Sequence, residues 1–213
     1  MKPRASLRKI LLIGCLVWLP AVCFGLRYVW AYENQPGRSG ISPKEWPSAS
    51  KIRRNDLPTL VLFIHPHCPC SRATIGEFAI LMAHSHRLVN ANAVFVKPAG
   101  FDEVWEQSDL WRSAMAIPGV TVIEDENGVE ALRFGAETSG QVALYSAAGA
   151  LLFSGGITGS RGHSGDNDGR TAILSLLTSG RAEKTETSVF GCPLHNAPST
   201  SKAEEFCNAN HVN

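Results

Sequence analysis

Excess positive charge is missing from this sequence: twenty Lys and Arg oppose nineteen Asp and Glu over 213 residues, leaving a net charge of +1. With no basic stripe in the body, the chain has no surface for tracking a phosphate backbone, which excludes a nucleic-acid partner. Aromatic residues are few, and the apolar content is ordinary. That balance suits one globular domain with extensions rather than two full domains. The Gly-rich stretch from Gly155 to Gly169 lacks a Gly-Lys-Ser/Thr ending and so is not a phosphate loop. Nor is it a calcium loop, because Gly169 follows Asp168 at once and no Glu closes a twelve-residue frame. It reads as a turn folded around Arg161, His163, Asp166 and Asp168.

After residue 32 no apolar run is long enough to cross a bilayer, but one lies before it. Lys2, Arg4, Arg8 and Lys9 precede an uncharged stretch from Ile10 to Leu26, and Arg27, Tyr28, Trp30 and Tyr32 follow. Basic residues on one side and interfacial aromatics on the other describe a membrane anchor with its amino terminus in the cytoplasm. A cleaved signal is the alternative, with Val29-Trp30-Ala31 as a cleavage-like position. Either way the body is exported, in a bacterium to the periplasmic side of the inner membrane, where disulfides persist.

The organisation expected is an anchor or signal segment at 1–32, a Pro-, Gly- and Ser-rich linker at 33–56, a folded domain at 57–180 and a polar tail at 181–213. Within the domain, Leu60 to Ile64 is a continuous apolar run, the mark of a central strand covered on both faces. Ile75, Phe78, Ala79 and Met82 recur at helical spacing up to about residue 86. Ala93 to Val96 and Val120 to Ile123 read as strands, and Val104 to Ala116 as a helix between them. Gln141–Tyr145 and Ala150–Phe153 flank a turn as an antiparallel hairpin, and Arg170 to Leu177 is a final helix. Alternating strands and helices imply right-handed crossovers around a mixed sheet.

Six cysteines occur. Cys15 and Cys23 lie in the apolar segment and act there as small hydrophobes. Cys68 and Cys70 fall in His65-Pro66-His67-Cys68-Pro69-Cys70, at the turn from the first strand into the first helix of the domain. Backbone N–H groups at a helix start favour negative charge, so a cysteine there is pushed toward the thiolate. Two chemistries follow. In thiol–disulfide exchange Cys68 is the nucleophile and Cys70 the resolving thiol, with His67 or Arg72 favouring the thiolate. In soft-metal binding, Cys68 and Cys70 join His65 or His67 around Cu(I). Exchange needs no cofactor. Cys192 and Cys207 have three fates: a structural disulfide stapling the tail, which is the base expectation for two exported cysteines; a resolving arm for the thiol turn; or a metal contribution from Cys192 with His195.

The thiol turn at the first strand-to-helix junction resembles a thioredoxin-like active site. The phrases His-Pro-His-Cys-Pro-Cys-Ser-Arg-Ala at 65–73, Thr138-Ser139-Gly140, Leu144-Tyr145-Ser146 and Phe153 through Gly169 resemble the RedB-type thioredoxin-like bacterial proteins, over about residues 45–195. The resemblance implies a thioredoxin-like α/β sandwich, a central mixed sheet flanked by helices. It also implies either disulfide exchange with a protein thiol or disulfide partner or help in metalloprotein assembly, outside the cytoplasm. A non-catalytic redox sensor is a third reading on the same fold.

Two departures from the family stand out. The usual site is Cys-x-x-Cys, so its first cysteine corresponds to Cys68 and its second position to Ser71, with Cys70 one residue early. A bridge across one residue closes a very small ring, far from relaxed disulfide geometry. The proline that usually faces the thiols is replaced by Glu137-Thr138-Ser139-Gly140, where Thr138 is expected first as part of an ordinary strand-entry turn and alternatively as a hydroxyl offered to Cys68.

Overall fold

The computed structural model describes residues 4–85, 87–98, 100 and 104–195. It has two units, Met1–Gln35 and Pro36–Asn213. The first is a single helix, α1 (Arg4–Glu33), with Pro20 inside it. Its portion Lys9–Glu33 contains an 18-residue stretch of mean hydropathy 2.2 and is long and apolar enough to cross a membrane. Twenty-five helical residues span about 37 Å, against a hydrocarbon core of about 30 Å. The same segment fits a signal peptide.

The second unit is built on a five-stranded sheet of order β3-β2-β1-β4-β5, formed by β1 (Thr59–Ile64), β2 (Asn90–Lys97), β3 (Val120–Glu126), β4 (Gln141–Tyr145) and β5 (Leu151–Gly156). β1 is central. It pairs parallel with β2 and antiparallel with β4, while β2–β3 is parallel and β4–β5 antiparallel. The parallel pairs are joined by α2 (Ser71–Ser85) and α3 (Asp109–Met115), and α5 (Asp168–Ser179) closes the chain after the hairpin. A five-residue helix, α4 (Val129–Arg133), was not legible in the sequence. α3 is shorter than expected because Ser108 caps it, its hydroxyl accepting the Trp111 N–H at 3.4 Å.

All six residues of β1 are buried, and their alternation divides the core. Leu60, Leu62 and Ile64 face a cluster with Phe78, Leu81 and Met82 of α2 and Ile173 of α5. Val61 and Phe63 face the other side, among Phe134, Tyr145, Ile52 and Leu194. Among the described residues of this unit only α4 covers this second face as a helix, and other segments complete it. The segments expected to be linker and tail do so.

Residues 36–56 are a packed strap rather than a free tether. The Trp46 ring lies edge-on to Phe134 at 4.9 Å and to Tyr145 at 5.2 Å, and the Tyr145 hydroxyl donates to the Pro43 carbonyl at 3.0 Å. Gly40 is pressed so closely on the Gly135 carbonyl that a Cβ would sit 1.7 Å from it. The first part of the expected polar tail is also docked: Val189 and Leu194 are buried, and the Gly37 N–H donates to the Val189 carbonyl at 2.8 Å. An apolar sheet face left to water would cost about 25 cal/mol per Å² of exposed apolar area, which is why both segments fold onto it.

Candidate functional site

The turn from β1 to α2 is fixed from below. The Ser139 hydroxyl oxygen accepts the His65 N–H at 2.8 Å, and the Gly140 N–H donates to the Phe63 carbonyl at 2.7 Å. The Cys68 N–H then closes back on the His65 carbonyl at 3.1 Å, and the Ser71 N–H on the Cys68 carbonyl at 3.1 Å. Ser71 opens α2, and its hydroxyl lies 2.7 Å from that of Ser139, both residues being fully buried. These bonds aim the Cys68 side chain at the helix start.

Cys68 is 1% exposed, and what covers it is the docked tail. The Ser139 N–H donates to the Cys192 carbonyl at 2.8 Å, the Leu194 N–H donates to the Glu137 carbonyl at 2.8 Å, and Thr138 and Pro193 form the antiparallel bridge between them. This two-strand contact carries the Cys192 N–H to 3.3 Å from Cys68 Sγ. Its approach depends on Gly191, where a Cβ would lie 1.9 Å from the Ser139 carbonyl oxygen. Arg161, from the Gly-rich loop, donates to the Gly191 carbonyl at 2.6 Å. That loop is itself tied to α2: the fully buried Glu77 carboxylate accepts the Gly165 N–H at 2.7 Å and pairs with Arg170.

The electrostatics follow from these donors. The Cys192 thiol is the largest influence on the Cys68 sulfur and favours its ionisation; burial opposes it, and the Ser71 hydroxyl and the Cys192 and Ser71 amides favour it, holding the Cys68 thiol down to about 4. Donation to the Cys68 sulfur pushes Cys192 up, helped by burial and by the negative charge of Cys68. Burial also raises Cys70, as does the neighbouring Cys68 charge, against the pull of the Arg161 guanidinium. Of the three thiols Cys68 is the one favoured as the thiolate, and Cys192 and Cys70 hold their protons.

No family model matches the chain, and no curated protein matches it. Among solved structures, the chain is similar to an uncharacterized conserved protein from Geobacillus kaustophilus, with TM-score 0.55 and 19% identity over 78% of this chain and 95% of that one. A hypothetical protein from Sinorhizobium meliloti is similar to the same degree, with TM-score 0.55 and 18% identity over 77% and 96%. Identities this low speak for the fold alone, and the sheet order with its two crossovers agrees. The fold is thioredoxin-like. A secreted Mycobacterium tuberculosis disulfide oxidoreductase homologous to the DsbE of E. coli is similar more distantly, with TM-score 0.41 and 13% identity over 59% and 83%.

On this thioredoxin-like frame the expected residues part company. Cys68 and Cys70 share the turn, Cys70 half-buried. Arg72 does not support the thiolate; its guanidinium pairs with Asp109 at the start of α3. His67 is also turned away, its Nε2–H donating to the Trp105 carbonyl at 3.0 Å and its ring edge-on to the Trp105 ring at 4.7 Å. His65 uses Nδ1 to accept the His67 N–H at 3.2 Å, and burial holds its pKa below the usual imidazole value. Among the described residues no three His, Cys, Asp or Glu side chains converge as metal ligands. Thr138 spends its hydroxyl on the Arg38 carbonyl at 2.8 Å, and Ser139 beside it supplies the contact with the turn. Cys207 lies outside the described residues, and Cys192 is free among them. Sequence reasoning missed Ser139 and Arg161. Neither has a local signal: one follows a residue that fits the role on paper, and the other sits in a loop whose glycines explain themselves as turns.

Proposed function

We propose that this protein is an extracytoplasmic thiol–disulfide redox protein, anchored in the bacterial inner membrane by α1 with its domain in the periplasm, and that Cys68 in the Cys-Pro-Cys turn is its reacting group. One observation carries the reading: Cys68 is buried at a helix start with the Cys192 N–H 3.3 Å from its sulfur, a setting that favours the thiolate and lowers its pKa to about 4. An inert structural cysteine in an apolar core has its pKa raised instead. The motif phrases shared with RedB-type proteins favour the same assignment. In the reaction, the Cys68 thiolate attacks one sulfur of a partner disulfide, the partner's S–S bond breaks, and its second sulfur leaves as a thiolate and takes a proton. Four basic residues before the apolar stretch that starts at Ile10, namely Lys2, Arg4, Arg8 and Lys9, favour an amino terminus in the cytoplasm and a domain on the opposite side.

The competing chemistry, Cu(I) held by His65, His67, Cys68 and Cys70, has less support, because the His67 ring is engaged by Trp105. The deciding experiment offers the reduced full chain in detergent oxidised glutathione in one arm and Cu(I) in the other. Release of glutathione that depends on Cys68 supports the redox reading. Stoichiometric Cu(I) retention by a protein that exchanges with no disulfide overturns it.

A further inference from the structure

We infer that Cys192, delivered by the docked tail, is the resolving cysteine for Cys68, and that the working redox couple is a Cys68–Cys192 disulfide closed across the fold rather than a bridge within Cys-Pro-Cys. The inference rests on the redox reading above and names the second thiol of that site.

Geometry separates the two candidates. Cys70 is one residue from Cys68 with Pro69 between them, in a turn pinned by the bonds of Ser71 to Cys68 and of Arg72 to Pro69. A disulfide there needs Cα atoms and side-chain vectors that a rigid single-residue ring does not supply. Cys192 is 124 residues away in sequence, so no ring constraint exists, and its amide already touches Cys68 Sγ. Its thiol is also the largest influence favouring the Cys68 thiolate. Backbone pairing to Glu137 and Ser139, the buried Leu194 and the Arg161 bond to Gly191 hold it there. The tail lies across the site as a peptide substrate would, with its own cysteine over the nucleophile. Cys68, at 1% exposure, is reached by a partner only when this strand lifts.

The electrons balance as follows. The Cys68 thiolate attacks a partner disulfide, forming a mixed disulfide and releasing one partner thiol. Cys192 then gives up its proton and attacks Cys68 Sγ. The second partner sulfur leaves as a thiolate and takes that proton. Two electrons have passed to the partner, which is now a dithiol, and Cys68–Cys192 is oxidised. The reverse sequence donates the disulfide to a reduced partner.

The test uses the reduced full chain in detergent, oxidised glutathione as the probe, and three forms: the natural protein, Cys70→Ser and Cys192→Ser. After trypsin, Cys68 and Cys70 fall in residues 55–72, Cys192 in 185–202 and Cys207 in 203–213. The expected result is a 55–72 to 185–202 cross-link in the natural protein and in Cys70→Ser, with two glutathiones released per cross-link. In Cys192→Ser, one glutathione stays on Cys68 and its release slows at least about tenfold, since the intramolecular attack is lost. Circular dichroism confirms that each variant is folded. If Cys68 takes up glutathione in every form and Cys70 releases it, or if Cys192 is found bridged to Cys207, the inference falls and the redox reading stands. If Cys68 takes up no glutathione in any form, both fall.

Discussion

Replacing Cys192 with Ala deletes the largest support for the Cys68 thiolate while leaving the Cys192 amide, 3.3 Å from the sulfur, in place. A hydrogen bond to a charged group contributes about 1.5–3 kcal/mol. One pH unit corresponds to about 1.4 kcal/mol between the two protonation states. The Cys68 ionisation midpoint should therefore rise from about 4 by about one to two pH units. The assay is thiolate ultraviolet absorbance of the reduced full chain across pH, each curve referenced to the same protein carrying Cys68→Ser. Stability gives an independent check with a fixed sign. The folded pKa of Cys68 lies below its ordinary value of 9.0, so its ionisation stabilises the reduced protein fully above about pH 9, and that contribution drains away as pH falls toward about 4. The urea midpoint of the reduced natural protein, measured relative to Cys68→Ser, should be higher at about pH 8 than at about pH 5. A midpoint in Cys192→Ala that is unchanged or lower would refute the assignment of the Cys192 thiol as the main donor.

Three further outcomes are expected. Glu77→Ala removes the buried carboxylate that holds Arg170 and the Gly165 N–H and leaves Arg170 only its pair with Asp166, so urea denaturation should show a loss of about 1.5–3 kcal/mol; a loss below about 1 kcal/mol would mean that Glu77 is not the anchor of the Gly-rich loop. Gly191→Ala forces a Cβ against the Ser139 carbonyl at a cost of about 1–3 kcal/mol borne by the docked tail. Alkylation of Cys68 should then quicken roughly 5- to 100-fold, and an unchanged rate would show that the tail does not control access. Trp46→Ala should lower stability by about 2–3 kcal/mol in the same denaturation assay, whereas a tether residue would leave it unchanged.

The parts of the fold legible in the sequence are those that advertise a period. β1 is a continuous apolar run, and α2 repeats its apolar residues at three and four. The hairpin of β4 and β5 carries β-favouring residues on either side of a Gly turn. The strap at 36–56 has no period, because its attachment runs through main-chain bonds, isolated anchors such as Trp46, and a glycine whose virtue is the side chain it lacks. Composition alone made it a linker. The docked tail is of the same kind: Gly191, Cys192 and Pro193 reveal nothing until the edge at Glu137–Ser139 is in place to receive them.

Within the site, the position of Cys68 and Cys70 at a strand-to-helix turn was legible, and a tail cysteine stood as one of several candidate partners. Four exported cysteines allow three pairings, and spacing cannot choose among them. The departure that did show in the sequence was the lost proline, and the structure gives it a consequence. Proline has no N–H, and Ser139 uses its own to hold the Cys192 carbonyl. Its hydroxyl meanwhile ties His65 and Ser71 into the turn. A proline at 139 would remove both, leaving the tail one backbone bond to this edge instead of two and Cys192 without its register over Cys68. The absent proline, the tail cysteine and the off-pattern Cys70 therefore describe one arrangement: an edge freed to bind backbone, and a second thiol brought to Cys68 from outside the turn.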